Sequence, residues 1–150
     1  MVAWRYGLSV DLERFVHAQD EHRTYAQAVA ELRRGRKTSH WMWFVFPQIA
    51  GLGRSGMAQA YAIADLEEAR AYLRHPVLGP RLLECAEIVA GHARRSAEQI
   101  FGGIDALKLR SSMTLFAEAD PDQPVFAEVI ETFFGGPDPL TLARTAERSG

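Results

Sequence analysis

Helix-start and helix-stop residues punctuate this chain, and between them apolar residues recur mostly three and four positions apart. That spacing collects them on one face of a helix, whereas half-buried strands need alternation at every second residue. The expected class is therefore mainly α: a compact, single-domain multihelical fold over residues 1–150, with no linker or internal repeat to mark a boundary. At this length roughly 68–70% of the unfolded chain's surface can be buried, so one core is enough.

The pattern predicts a first helix over about Val10 to Gln19, with Leu12, Phe15 and Val16 on one face. A second runs from Thr24, read as N-cap, to Arg34, with Tyr25, Ala28, Val29 and Leu32 inward and Gly35 at C′. Asp65 with Glu68 at N3 starts a helix that ends near His75, and Pro76 suits N1 of the next, which continues to about His92. Ser96 begins a short helical turn ending at Gly102-Gly103. Longer helices follow over about Asp105 to Ala119 and Pro124 to Phe134, and Asp138-Pro139 opens a terminal helix through Arg144. The run Trp41 to Phe46, WMWFVF, suits a buried strand or a buried helix. Ser39 can cap a helix and Pro47 would end one, so a short helix is expected there, with a minor strand element at 41–46 as the alternative.

Hydrophobic residues make up 47% of the chain and charged residues 24%, as in an ordinary globular protein and not a disordered one. A net charge of −2 and a pI near 6.2 supply no general attraction to nucleic-acid polymers or anionic membranes. The N-terminal residues MVAWRYGLSVDLERF lack the charged start and long apolar run of a leader, and Trp41 to Phe46 is too short to span a bilayer. The single cysteine, Cys85, excludes an internal disulfide and any multi-cysteine metal site. A cytoplasmic protein without a membrane anchor is expected.

Three segments hold candidate chemistry. Gly51 to Gly56, GLGRSG, matches G-x-G-x-x-G, but that fingerprint needs a strand before it and a βαβ unit around it, and here only the following helix is supported. The plainer reading is a turn leading to Ser55 as a cap; an anion could still sit at that helix start beside Arg54. In the aromatic segment, Trp41, Trp43, Phe44 and Phe46 suit a core, while Lys37, Thr38, Ser39 and His40 upstream and Gln48 downstream suit the rim of a site. The stretch Lys108 to Phe116, KLRSSMTLF, interrupts a helix with hydroxyls, and helical spacing sets Asp105, Lys108 and Ser112 on one face with Ser111 close by. An exposed salt bridge, with serines bonded back to carbonyls, would explain the same pattern without a ligand.

The chain's 17 basic residues comprise 15 arginines and 2 lysines. The lysines, Lys37 and Lys108, fall one in each of the last two segments. An ammonium is a compact point charge where a guanidinium is a rigid fork, so the pair marks these segments independently of any motif. The five histidines, at 17, 22, 40, 75 and 92, show no metal-binding spacing, and neither a metal nor a cofactor is expected.

The residues SHWMWFVFPQIAGLGRS, together with Asp11 to Phe15, Tyr61-Ala62-Ile63, His75 to Gly79, Ile100-Phe101-Gly102 and Lys108 to Phe116, resemble the family catalogued as domain of unknown function 1810. The resemblance spans nearly the whole chain and implies a small, mainly helical domain, with no established reaction or catalytic residue. Some members carry a calpastatin label. Calpastatin-type inhibitory segments are disordered and repetitive, unlike this sequence, so the label is set aside. A fold-level similarity to the ADP-ribose-processing NADAR group is an analogy without residue correspondence.

The expected function is binding of a small anionic, nucleotide-like ligand in a pocket between Lys37–Arg54 and Asp105–Ser112. Lys37, Arg54 and the helix start at Ser55 would hold the anion, Trp41 would contact a planar group, and Ser39, His40, Gln48, Gly53, Ser111 and Ser112 would complete the binding set. If the protein is an enzyme, Asp105 is the candidate acid or base, with Lys108 setting its charge, and the NADAR analogy points to N-glycosidic hydrolysis of an ADP-ribose-type compound. The alternative is a noncatalytic protein–protein interaction module presenting the aromatic segment, which an exposed, contiguous aromatic patch would favour.

Overall fold

The expected helices form, and most of their ends lie where capping residues put them. The computed structural model describes the backbone of residues 12–149 and the side chains of residues 12–147. Within that range α1 covers residues 12–20 and a 3-10 turn covers Glu21–Arg23. The later helices are α2 Thr24–Arg34, α3 Met42–Val45, α4 Gly56–Ala60, α5 Leu66–Arg74, α6 Leu78–Ala90, α7 Ala97–Phe101, α8 Gly103–Ala119, α9 Pro124–Phe134 and α10 Pro139–Ser149. Among the described residues the β pairing is one isolated parallel bridge, Ile49 to Ile63. The fold is all-α. The expected helical residues Val10 and Asp11, and the N-terminal stretch read as lacking a leader, lie outside the described residues.

Residues 41–46 take the helical option: Met42–Val45 is one turn, closed by Phe46 before Pro47. Asp65 Oδ1 accepts from the Glu68 N–H at 2.8 Å, and Ser96 and Gln99 form a reciprocal capping box. Four boundaries differ from expectation. Ser39 does not cap α3, because its hydroxyl is turned to Glu31. Thr24 is the first residue of α2 rather than its cap, and Arg23 before it is left-handed, with φ 58°. Pro76 precedes the first residue of α6 by two positions, and the His75 ring accepts from the N–H groups of Val77 and Leu78 at 3.1 and 3.3 Å. α10 runs past Arg144 to Ser149.

α8 is the central helix, packed by α5, α7, α9 and α10. Its residues 111–116 are buried without a break, with Leu109, Met113, Leu115 and Phe116 in the core and the Phe116 ring 5.3 Å from Tyr72 and 5.9 Å from Phe126. The expectation that the serines bond back to carbonyls is corrected: Ser111, Ser112 and Thr114 are all buried, and neither serine makes such a bond among the described residues. Thr114 bonds back to the Arg110 carbonyl and accepts from the Asp138 N–H, while Ser111 meets Thr141 at 2.7 Å. Ser111 and Thr114 thereby seat the start of α10 against α8, whereas the buried Ser112 hydroxyl meets no partner among the described residues. One hydrophobic cluster runs from Leu12 to Ile130, and no helix among the described residues is long and apolar enough to cross a membrane.

Candidate functional site

The site begins with a buried carboxylate. Glu31 lies on the inward face of α2 beside Ala28 and Leu32 and is 1% exposed. Its oxygens accept four bonds: from the Thr38 N–H (2.7 Å), the Ser39 N–H (3.0 Å), the Ser39 hydroxyl (2.5 Å) and the Trp41 indole N–H (2.9 Å). Burial alone would raise its pKa. The bonds from Ser39, Thr38 and Trp41 outweigh that and lower it to about 2. Glu31 thereby fixes the turn after Gly35, whose left-handed φ of 74° ends α2.

That turn carries Lys37, whose N–H donates to the Ile100 carbonyl at the end of α7 at 2.7 Å. Its side chain is 7% exposed, and the ammonium reaches Asp105 Oδ2 at 2.7 Å and the Ser39 carbonyl at 2.5 Å, above the Trp41 ring at 5.0 Å. Lys108, one helical turn beyond Asp105, reaches Asp105 Oδ1 at 3.3 Å and lies 4.9 Å from the Trp43 ring centroid. Two ammonium groups thus share one carboxylate, leaving one net positive charge.

Asp105 stands in the first turn of α8, and the turn before it is built from Gly102 and Gly103. Gly102 has φ 80° and ψ 164°, a conformation that strongly favours glycine, and no side chain caps the helix. A Cβ at either glycine would meet nothing within 4 Å, so this backbone faces open space. First-turn N–H groups have no helical carbonyl to bond, and together they carry partial positive charge. The opening is a cavity of about 430 Å³ walled by Lys37, His40, Trp43, Gly102, Gly103, Ile104, Asp105 and Lys108, with Met42 and Phe101 behind. It adjoins a second cavity of about 390 Å³, lined by Gln48, Leu52, Gly53, Leu107, Ser111 and Leu140 among others, with Ile104 and Lys108 common to both.

The structure therefore brings Lys37, His40, Asp105 and Lys108 to one cavity, and Gln48, Gly53, Ser111 and Lys108 to the next. It separates others from them. Arg54 and Ser55 are exposed and line neither cavity; the Ser55 hydroxyl caps α4 by accepting from Ala58 at 3.1 Å. Trp41 is buried, hydrogen-bonded to Glu31 and lines neither cavity, while Trp43 faces the first one. Ser39 serves the Glu31 anchor, and Ser112 is fully buried outside both linings. Two of the glycines of GLGRSG serve packing: a Cβ on Gly51 would strike Arg144 and one on Gly53 would strike Ala58, whereas one on Gly56 would meet open space.

Sequence reasoning missed Glu31, Trp43 as the ring that lines the cavity, and the Gly102-Gly103 opening as part of the site. A charged residue on the apolar face of α2 was the available signal for Glu31. No group of three or more histidine, cysteine or acidic residues among the described residues is placed to hold a metal ion. Cys85 is buried, and burial pushes its thiol up to about 12.

Comparison with curated proteins finds no match. Among solved structures, the chain is similar to the conserved hypothetical protein Rv1873 from Mycobacterium tuberculosis, at 52% identity and a TM-score of 0.87, over 91% of this chain and 96% of that one. A family model described as "Protein of unknown function (DUF1810)" matches residues 9–145, and the chain belongs to that family.

Proposed function

We propose that the protein binds a small anion, phosphate-bearing and nucleotide-like, in the cavity between the Lys37 turn and the start of α8. The observation that carries this reading is the convergence of the chain's two lysines on Asp105 beside an uncapped helix start open to the cavity. Lys37 is held by the fold and sets the charge from behind, Lys108 is the more accessible cation, and the α8 N–H groups supply donors to the anion's oxygens. Trp43 gives a flat wall. Trp41 and Phe46 are buried and Trp43 and Phe44 half-buried, so the aromatic segment offers no contiguous exposed patch, which supports a ligand over a docking module.

Among the described residues Asp105 is the one carboxylate walling this cavity, and that supports a second, catalytic reading: N-glycosidic hydrolysis of an ADP-ribose-type compound. Both its oxygens already accept from ammonium groups, so acid or base work there requires one lysine to move. Binding is the better-supported reading. Calorimetric titration with inorganic phosphate and ribose 5-phosphate tests it. Saturable binding that weakens about tenfold or more in Lys108→Met is expected, in line with loss of a charge-assisted contact. Absence of binding by both probes and by every nucleoside monophosphate refutes it. Release of free base from ADP-ribose-type compounds, abolished in Asp105→Asn, would establish the catalytic reading.

A further inference from the structure

We infer that the ligand also carries a flat, uncharged ring with a hydrogen-bonding edge, a nucleobase-like group, seated in the adjoining cavity against Ile104, Leu107 and Leu140. The inference rests on the anion reading and adds the ligand class. These three residues are 75%, 66% and 67% exposed, and all three line the one cavity, joined there by Leu52. A single exposed leucine is ordinary, but several converging on one concavity next to a cationic site form an apolar seat. Ile104 and Lys108 belong to both cavities, so a ligand anchored by its anion reaches the seat without leaving the groove.

The polar groups of the seat decide what kind of group fits. Arg110 donates to the Gly136 and Pro137 carbonyls at 3.0 Å each, and Ser111 and Asp138 are bonded to Thr141. The Gln48 side-chain amide makes no hydrogen bond to a described residue, while its backbone carbonyl is held by the Ile63 N–H at 2.8 Å. A fixed backbone with an uncommitted amide offers a donor and an acceptor together, which matches a heterocycle edge and is wasted on an alkyl chain. The two seats are offset by one to two turns of α8, roughly 5–10 Å. That is comparable with the separation of phosphate and base in a nucleoside monophosphate.

Titration of the full chain with ribose 5-phosphate, the nucleoside monophosphates and octyl phosphate tests the inference. At least one nucleotide should bind tenfold or more tightly than ribose 5-phosphate. Gln48→Ala and Leu107→Ser should each remove most of that gain while leaving ribose 5-phosphate affinity unchanged, and circular dichroism should show both variants folded. Failure of every phosphate-bearing probe to bind would remove the anion reading itself. Binding of ribose 5-phosphate with no gain from any base would leave that reading intact and overturn this one. A gain from octyl phosphate equal to the best nucleotide, insensitive to Gln48→Ala, would overturn it in favour of an aliphatic tail. A dimer in sedimentation that Leu107→Ser dissolves would also overturn it, by assigning the leucines to an interface between copies.

Discussion

Glu31→Gln removes one charge and changes almost no volume, so its effect isolates what the buried carboxylate does for the Lys37 turn. The pKa of Glu31 falls from an ordinary 4.5 to about 2 in the fold, and the side chain is essentially inaccessible. At 1.36 kcal/mol per pKa unit the difference corresponds to about 3 kcal/mol of stability at pH 7. A depressed carboxylate pKa contributes fully above the unfolded value and is lost as pH falls through the folded one, so the window here is from about 4.5 down to about 2. By pH 3 the contribution should have fallen to about 1.4 kcal/mol. Urea unfolding of both proteins at pH 7 and pH 3 measures it, because every other carboxylate titrates alike in the two and cancels. Glu31→Gln should cost about 3 kcal/mol at pH 7, with a gap about 2 kcal/mol smaller at pH 3. A cost under about 1 kcal/mol at pH 7, or one equal at the two pH values, refutes the argument that four hydrogen bonds to an ionised carboxylate hold this turn.

Lys37→Met and Lys108→Met should be non-additive toward a phosphate-bearing ligand, with an interaction of about 0.5–3 kcal/mol by calorimetry; additive losses would place the two charges in separate roles. Trp43→Phe should leave stability within about 1 kcal/mol of wild type or raise it, since the buried indole N–H meets no acceptor among the described residues; a larger loss in urea unfolding would mean the N–H has a partner. Gly79→Ala should destabilise by about 1–3 kcal/mol or more, because a Cβ there would lie 2.1 Å from the Leu73 carbonyl oxygen, where α5 and α6 meet; a neutral result would show the backbone yields freely. Cys85, fully buried with its thiol pushed up to about 12, should resist a thiol reagent at pH 8 until the protein unfolds; prompt labelling of the native protein would contradict that burial.

Much of the architecture was legible in local signals. Asp65, Ser96, Pro124 and Gly135 mark helix ends through bonds and backbone restrictions that act within a few residues, and the helices end there. The two lysines also stood out in composition, and both line one cavity. Side-chain direction was not legible in the same way. Ser39 could cap α3 or answer Glu31, and which it does depends on α2 lying alongside the turn. Trp41 and Trp43 are two residues apart in one apolar run. Only the packing of α7 and α8 against that run decides that the first is sealed over Glu31 and the second faces the cavity. The hydroxyls of Ser111 and Thr114 read as a polar stripe because buried hydroxyls still need partners, and those partners, Thr141 and the Asp138 N–H, come from α10 and the residue before it. Helix formation depends on neighbours in sequence, whereas the path of Lys37 to Asp105 and the open ground before α8 depend on distant segments meeting. Hydrogen-bond satisfaction and steric exclusion, both properties of the assembled core, decide those positions.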